Sequence, residues 1–449
     1  MKNLRIAMTL ACFIQLSALA ADPPGYQDPA GASYSIDEVR EDLNAFLNFV
    51  RTTHPDLAYS TDLEALASME AIIDRKITRP LSQSEVWALL AKLNPVFADA
   101  HVGLRRPVDA LAQYEAGGGF LLPIPVALAR DATPRLGLVA GGPLAALAGA
   151  KILSVNGHSM AQLVATLLPR MRGETEALRL KVMGLYFAEY YWILQGGANE
   201  YDLVLEEDGK RYQITLNETC CEGENTDSGD FTYKTLAAGK GYLRVDTFDI
   251  KKKDAFAAFL PGAFSEISKD GIETLIIDLR ENTGGAADTS DLLMAYLTDK
   301  TYSSISAVKA RVTAQNITRI PNATIGEVVD LPFRVDVTPP EDLEDRFIGQ
   351  VTILIGPLTY SQAIVFAATA RDHRVATLAG TSTEGAANQS GQVQFHRLPN
   401  SGIEALAPLY IFTRASGEKG RAPLRPDIVL KENPLSPEAA IEDLLRQIP

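Results

Sequence analysis

The stretch TLIIDLRENTGG, residues 274–285, decides the fold that the sequence predicts. Its first six residues form a near-continuous apolar run, which is typical of a strand that helices cover on both faces. The polar residues that follow end in a glycine pair, and a helical pattern begins at Asp288. The alternation of strand and helix is repeated downstream by residues 351–355, 362–370 and 375–378. This order predicts an α/β core.

A second strand-to-helix corner carries a serine. The apolar run 351–355 ends at a Gly-Pro pair, and an Ala-rich helical pattern begins near Ser361. A serine at such a corner exposes its hydroxyl beside the unpaired first N–H groups of the helix, as a nucleophile with an oxyanion site requires. An ordinary helix N-cap is the alternative interpretation. Ligands of α/β sheets bind beyond the carboxyl ends of the strands, where both Ser361 and the Gly284-Gly285 loop fall.

The bulk composition is that of a globular protein of several domains. With 449 residues, two or three domains are expected. The net charge is −14 and the chain has no cluster of basic residues. Nucleic acid and anionic membranes are therefore not expected as partners.

The first twenty residues have the pattern of a secretory signal peptide. Lys2 and Arg5 precede the apolar stretch 6–19, and a small-residue cleavage site ends at Ala20. We expect cleavage after Ala20 and an exported protein, periplasmic or secreted, without a stable membrane anchor.

Two adjacent cysteines, Cys220 and Cys221, would remain after that cleavage. Neighbouring cysteines do not form an ordinary framework disulfide with each other, so a strained vicinal disulfide and two separate thiols are the alternatives. A metal site is not expected, because no further Cys or His lies near them in sequence.

The chain divides into a signal peptide and five further segments. These are a mature N-terminal tail (21–32), a helical module (33–110), a PDZ-like domain with a helical insertion (116–218), a linker (219–240) and the α/β core (241–449), after the signal peptide (1–20). Capping boxes at Ser35 and Ser82 are expected to begin two helices of the helical module. In the core, Pro261 and Gly262 are expected to kink or split a helix.

Residues 143–157 loosely resemble the central motif of PDZ domains, which bind peptide ends by adding a strand. A degenerate, purely structural PDZ-like fold is the alternative. The inserted segment 161–194 has the pattern of a long helical stretch. Its aromatic residues, within 186–192, are expected either to pack in the core or to line a groove.

Residues 276–285 resemble the hhDLRxNxGG signature of the C-terminal (tail-specific) processing peptidase superfamily, which also includes the tricorn core protease and retinoid-binding modules. Thr359, Ser361, Asp372 and the turn 380–385 are similar to the serine helix of that superfamily and to the G-x-x-T-x-G turn after it. The resemblance covers nearly the whole mature chain. It implies a ClpP/crotonase-like α/β core with an N-terminal helical module and a PDZ-like insert.

The resemblance also separates two catalytic variants. The processing peptidases use a Ser–Lys dyad whose lysine follows the second glycine of that turn, where this chain has Ala386. The tricorn-like branch instead uses a histidine from the N-terminal helical region, and His101 stands at the similar position. That branch has a late glutamate, which Glu418 resembles, and a serine before the histidine, where this chain has Ala100. Glu418, Asp99 or a water is therefore expected to orient His101.

Together these features predict an exported serine peptidase that acts on peptide or protein substrates. Ser361 would be the nucleophile and His101 the general base. The N–H of Gly284 or Gly285, with that of Gln362, would stabilise the oxyanion. No metal or other cofactor is expected, and the sequence does not indicate an oligomeric state.

Two other functions are compatible with the same sequence. A non-catalytic protein that binds a ligand or peptide would use the aromatic residues within 186–192 as a groove. An esterase would use Ser361 and His101, although no G-x-S-x-G elbow surrounds the serine. His373, which is close in sequence to the serine helix, is the rival base.

Overall fold

The computed structural model describes residues 33–448 except 130, 140–141, 218–228, 321, 432 and 434–435. The predicted signal peptide, its cleavage site, the N-terminal tail, Cys220 and Cys221 lie outside the described residues. Within those residues, no helix is both long enough and apolar enough to cross a membrane.

The N-terminal part of the chain is mainly helical. Its elements are β1 (Ser33–Tyr34), α1 (Ile36–Thr53), α2 (Leu63–Lys76), β2 (Leu81–Ser82), α3 (Gln83–Leu90), α4 (Asn94–Phe97), β3 (Gly103–Leu104) and α5 (Val108–Ala116). Both predicted capping boxes form, since Ser35 pairs with Glu38 at the start of α1 and Ser82 with Glu85 at the start of α3.

The middle of the chain folds around an antiparallel sheet. Its elements are β4 (Val126–Leu128), β5 (Pro134–Leu136), α6 (Gly142–Ala145), β6 (Lys151–Val155), β7 (His158–Ser159), α7 (Met160–Leu167), α8 (Glu176–Leu185), α9 (Phe187–Gln195), β8 (Glu200–Glu207) and β9 (Lys210–Asn217). The strand order is β4-β5-β6-β8-β9, with β7 paired to β6.

The long helical stretch predicted over 161–194 forms as three α-helices, α7, α8 and α9, rather than as one continuous helix. After α7 a 3-10 turn, Leu168–Arg170, is followed by non-helical residues up to the start of α8. Gly173 has a φ of 134°, which no helix accommodates, and Thr175 begins α8 by capping the N–H of Leu178. This break places Glu174 outside any helix.

The aromatic residues of this region belong to the core. Tyr186, Phe187, Tyr190, Tyr191 and Trp192 are all buried. The interpretation of these side chains as the lining of a groove is therefore wrong, and core packing is confirmed.

From residue 229 onward, the described residues form two sheets and four long helices. The strands are β10 (Phe231–Ala237), β11 (Lys240–Val245), β12 (Thr274–Asp278), β13 (Ile305–Arg311), β14 (Val328–Pro332), β15 (Gln350–Ile355), β16 (Thr377–Gly380), β17 (Ser390–Arg397), β18 (Glu404–Arg414) and β19 (Ile428–Val429). The helices are α10 (Lys253–Lys269), α11 (Ala287–Leu297), α12 (Gln362–Asp372) and α13 (Pro437–Gln447).

The main sheet has the order β10-β11-β12-β15-β16-β19, and only β10 is antiparallel to its neighbour. Every residue of β12 is buried, as the apolar run predicted. Residues 231–237, which the sequence assigned to the linker, form β10, because a turn at Gly239 (φ 70°) folds them back onto β11. Helix α10 continues through Pro261, so the predicted split is wrong. The proline lies on the exposed side, where water can satisfy the freed carbonyl.

The second sheet has the order β14-β13-β18-β17, and β3 pairs with β18. Gly103 lies opposite Leu406 and Leu104 opposite Ala405. This pairing attaches the loop after α4 to the last part of the chain, and so positions His101.

Candidate active site

Ser361 lies at the corner between β15 and α12, immediately before the first residue of α12. Its φ is 51° and its ψ is −124°, a backbone conformation that costs a non-glycine residue about 1–3 kcal/mol. Its side chain makes no capping hydrogen bond to α12, so the interpretation as an ordinary N-cap is wrong. Strain of this kind is maintained where a side chain must be held in a functional position.

The Gly284-Gly285 loop lies directly against Ser361. A Cβ added to Gly284 would lie 2.6 Å from Ser361 Cβ and 2.9 Å from Gln362 N, so only glycine allows this approach. The Gly284 N–H donates to Asn282 Oδ1 at 2.8 Å, which holds the loop. Within the described part of the chain, the N–H groups of Gly285 and Gln362 donate to no acceptor. These two donors are therefore available to an oxyanion, whereas that of Gly284 is already used.

The imidazole of His101 reaches Ser361 from the N-terminal part of the chain. Helix α4 ends at Phe97, the next residue, Ala98, adopts the left-handed region (φ 45°), and β3 then pairs with β18, so the loop between them lies against the core. His101 Nε2 is 3.1 Å from Ser361 Oγ, and His101 is only 6% exposed. At this distance a neutral imidazole can accept the hydroxyl proton.

The other ring nitrogen of His101 faces Asp99 and Ser390. His101 Nδ1 is 3.3 Å from Ser390 Oγ and 3.6 Å from Asp99 Oδ1. Ser390 donates its hydroxyl proton to Asp99 Oδ2 at 2.7 Å, so its oxygen is left to accept from His101 Nδ1–H. The backbone N–H of His101 donates to Asp99 Oδ1 at 2.8 Å. This arrangement favours the tautomer whose Nε2 lone pair faces Ser361.

Asp99 is a buried carboxylate. Burial by itself would raise the pKa of Asp99, but hydrogen bonds from His101 and Ser390 and the charge of His101 hold that pKa well below its ordinary value. Asp99 is therefore ionised at neutral pH, and it can stabilise an imidazolium that forms when His101 accepts a proton.

Tyr360 and Glu174 make a second polar contact with His101. The Tyr360 hydroxyl is 3.5 Å from His101 Nδ1 and donates to Glu174 Oε1 at 2.8 Å. The rings of Tyr360 and His101 lie 5.1 Å apart, centroid to centroid. Burial, and then the negative charge of Asp99, raise the pKa of Glu174 to about 7.

Two other candidate residues are not brought to His101. The side chain of Glu418 is 64% exposed and accepts from Arg414 Nη1 at 2.9 Å, so the geometry does not support its expected orienting role. His373 lies at the far end of α12, about 16 Å along an eleven-residue helix. Its Nε2 is 2.9 Å from the carbonyl oxygen of Ser303, so it is not placed to act as the rival base.

Several polar residues of the recognised motifs hold the site together without entering it. Arg280 forms an ion pair with Asp278, with Nη2 and Oδ2 2.6 Å apart, and donates to the Pro437 carbonyl at 3.0 Å. Thr359 Oγ1 donates to the Leu279 carbonyl at 2.7 Å, which ties the corner before α12 to the end of β12. These contacts fix the two loops against each other.

Ser390 and Glu174 are not among the site residues that the sequence predicts. Ser390 is the first residue of β17, and Glu174 precedes α8; neither is near Ser361 or His101 in sequence. The available signals were a polar run after the G-x-x-T-x-G turn and an Arg-Gly-Glu interruption of the helical pattern. Neither pattern indicates which residues these side chains contact, because their contacts are with residues that are distant in sequence.

Comparisons with known proteins agree with this architecture. Residues 239–430 match Peptidase family S41. Mature CPAF complexed with lactacystin gives a TM-score of 0.65 at 15% identity, over 92% of this chain and 97% of that chain. The photosystem II D1 C-terminal processing protease gives 0.51 at 18% identity, over 91% and 96%. A structure described as a peptidase from Parabacteroides merdae gives 0.50 at 16% identity, over 91% and 96%.

At such identities the likeness to these structures establishes the fold. A search of curated proteins found no match.

Proposed function

We propose that this protein is an exported serine peptidase that works through an acyl-enzyme on Ser361. His101 is its general base. The match of residues 239–430 to Peptidase family S41, a family of serine peptidases, supports this proposal. The 3.1 Å contact between Ser361 Oγ and His101 Nε2, made by residues 260 positions apart, carries the proposal. Peptides or proteins are its substrates.

Acylation begins when Ser361 Oγ attacks the carbonyl carbon of the substrate. As the Oγ–C bond forms, the hydroxyl proton passes to His101 Nε2 and the negative charge moves to the carbonyl oxygen. Collapse of the tetrahedral intermediate breaks the C–N bond, and His101 returns the proton to the leaving amine. Water then hydrolyses the ester by the same proton route, which releases the acid and regenerates Ser361.

The oxyanion is stabilised by the N–H groups of Gly285 and Gln362. Both are unpaired within the described part of the chain, so neither has to leave a partner when charge develops. Each donor of this kind contributes about 3 kcal/mol in comparable sites. The partial positive charge at the start of α12 adds to this stabilisation.

Asp99 and Ser390 orient His101 in this mechanism. They replace Glu418, for which the contacts are with Arg414 instead. A Ser–Lys dyad is not favoured, because Ala386, which is buried, occupies the position where the lysine of that variant is expected.

The middle of the chain, residues 116–218, is proposed to be a PDZ-like domain with a structural role. Gly184 of α8 lies so close to β4 that a Cβ there would be 2.5 Å from the Val126 carbonyl oxygen. This contact leaves no room for an added strand between β4 and α8, which favours the structural alternative over peptide binding there.

Export is the remaining part of the proposal. The signal-peptide pattern of residues 1–20 supports cleavage after Ala20 and a periplasmic or secreted location. Edman sequencing of the protein purified from an expressing bacterium would begin at Ala21, and an intact Met1 in the mature protein would contradict export by this route.

Labelling with a fluorophosphonate tests the nucleophile without knowledge of the substrate. Wild-type protein should be labelled covalently, and Ser361→Ala should not be. His101→Gln should slow labelling by roughly a hundredfold or more, because the hydroxyl loses its base. The exposed Ser416→Ala is the matched control and should label like the wild type. Equal labelling of wild type and Ser361→Ala would overturn the proposal.

A further inference from the structure

We propose that Glu174, acting through the hydroxyl of Tyr360, is a positioning residue that selects the productive tautomer of His101. This inference rests on the proposed peptidase function and adds to it a control by pH. Glu174 comes from the break between α7 and α8, outside the segment that matches the peptidase family.

Contacts of Glu174 and of the next residue hold Glu174 beside His101 and Ser361. Thr175, the residue after it, caps α8 and also donates its hydroxyl to Glu384 Oε2 at 2.7 Å, which anchors the segment to the turn 380–385. Glu174 Oε1 accepts from Tyr360 at 2.8 Å. Its other oxygen, Oε2, is buried and makes no hydrogen bond within the described part of the chain. A buried carboxyl group with one unpaired oxygen is costly, and such groups persist where they have a function.

Proton positions explain how this pair acts on His101. Ser390 donates to Asp99 and can only accept from His101 Nδ1. When Glu174 is ionised, it can only accept a hydrogen bond, so Tyr360 must donate to it and its oxygen can also only accept from Nδ1. Two acceptors then face Nδ1, which must carry the proton, and the lone pair of Nε2 faces Ser361.

Protonation of Glu174 removes this constraint. A neutral carboxyl can donate to the oxygen of Tyr360, which frees the Tyr360 hydroxyl proton to point at His101 Nδ1. That proton stabilises the tautomer with hydrogen on Nε2, which cannot accept a proton from Ser361. The reactive state is therefore favoured when Glu174 is ionised.

Groups from six parts of the chain face Glu174. They are Arg172 and Arg179 from its own segment and α8, Asp99 and His101 from the loop before β3, Tyr360 from the corner before α12, and Tyr59 and Arg421 from further segments. Burial and then Asp99 raise the pKa of Glu174 to about 7, while Tyr360, His101 and Arg421 act in the opposite direction. Glu174 therefore changes between its protonated and its ionised form near neutral pH.

The test is the rate of fluorophosphonate labelling of Ser361 between about pH 5.5 and pH 8.5, because this rate reports activation of the nucleophile by His101. The wild type should show an ionisation near pH 7 that increases the rate. Protonation of His101 itself lowers the rate in both proteins, so the effect of Glu174 is measured as the ratio of the wild-type rate to the Glu174→Gln rate. This ratio should be close to one at about pH 5.5 and should rise to about ten at about pH 8. The ratio of the wild-type rate to the Tyr360→Phe rate should change with pH in the same way.

Glu176→Gln is the matched control, since Glu176 is an exposed carboxylate of the same segment. It should keep the wild-type profile. A wild-type profile without an ionisation near pH 7, a wild-type profile in Glu174→Gln, or a uniform loss of rate at every pH would each overturn the inference. If Glu174→Gln does not fold, by circular dichroism, Tyr360→Phe decides. Persistent labelling of Ser361→Ala would instead overturn the proposed function itself.

Discussion

At the scale of single residues, the orientation of His101 is achieved by side chains that are distant from it in sequence. The residue before it, Ala100, has no group that could hold the ring, whereas the tricorn-like branch is expected to have a serine there. In this chain the hydroxyl comes from Ser390, 289 positions away, and connects His101 Nδ1 to the carboxylate of Asp99. The orientation of the His101 ring, which one neighbouring serine could provide, is thus provided jointly by Ser390 and Asp99.

Substitution of Ser390 tests this role. Ser390→Ala removes an acceptor at Nδ1 and should reduce kcat roughly 10- to 100-fold with little change in KM, because the hydroxyl is buried behind His101. Asp99→Asn should cost more, on the order of a thousandfold, because an amide there can favour the wrong tautomer. The measurement is steady-state kinetics on a cleaved peptide, with labelling rates as a second readout.

Glu418→Gln separates the two possible orienting groups. Its carboxylate contacts Arg414 and is mostly exposed, so kcat should remain within about twofold of the wild type. A loss in Glu418→Gln as large as that in Asp99→Asn would show that the orienting group has been misassigned.

At the scale of secondary-structure elements, the arginine of the motif attaches the last helix. Arg280 bonds both oxygens of Asp278, and its Nη1 donates to the carbonyl of Pro437, the first residue of α13. Tyr242 donates to Asp278 at 2.8 Å from the neighbouring strand β11. The end of β12 is thus connected to the C-terminal helix through one largely buried ion pair.

Replacement of Arg280 should therefore loosen α13. Arg280→Ala leaves a buried carboxylate without its cation, which should lower the free energy of unfolding by about 3 kcal/mol. Hydrogen exchange should rise first in α13, and chemical denaturation would give the magnitude. Arg446→Ala is the control, because Arg446 pairs with Asp443 on the exposed side of α13 and should cost less than about 0.5 kcal/mol. Equal losses in both variants would contradict the role of Arg280.

The sequence predicted elements well where the signal was local. The capping boxes at Ser35 and Ser82 form, and the apolar strand 274–278 is buried throughout. Prediction failed where tertiary contacts override a local pattern. The helical pattern of 161–194 continued across Gly173, where the backbone leaves the helix. The edge strand β10, with the sequence FTYKTLA, was included in the linker because it follows directly on the acidic stretch 222–229, although its residues are typical of a strand.

At the scale of the whole molecule, the site is assembled where the parts of the chain meet. Ser361 and the Gly284-Gly285 loop come from the main sheet, His101 from the N-terminal helical part and Ser390 from the second sheet. Glu174 adds a contact from the inserted middle part. The geometry of the proposed active site consequently depends on the packing between these parts as much as on any one of them.

Stability should fall as the pH rises through neutrality. Burial raises the pKa of both Glu174 and Asp246 to about 7, above their ordinary values. Protons therefore bind the folded state more tightly, and this stabilisation is present at low pH and is lost as the pH rises through about 7. Between about pH 6.5 and 7.5, each of the two groups should lower the free energy of unfolding by about 0.7 kcal/mol.

Thermal unfolding at constant ionic strength measures this effect as a decrease in Tm across that interval. His54, whose pKa burial lowers to about 4, is neutral in the folded state but partly protonated in the unfolded state near pH 6.5, so it offsets the decrease by about 0.35 kcal/mol. The double variant Glu174→Gln, Asp246→Asn should lose the decrease in Tm and show a slight rise instead. An unchanged slope in this variant would assign the pH dependence to other groups.

The sequence by itself determined the α/β core, the serine at the strand-to-helix corner, the glycine loop beside it and, through Ala386, the absence of the expected lysine. These features are local: a buried strand, a helix start and a close backbone approach each require particular residue types within a few positions. Only the tertiary structure decided which groups surround His101. Ser390 and Tyr360 contact its ring, and Glu174 contacts Tyr360. The two residues of each pair lie 186 to 289 positions apart in the sequence, and no local pattern encodes which distant strands and segments will meet.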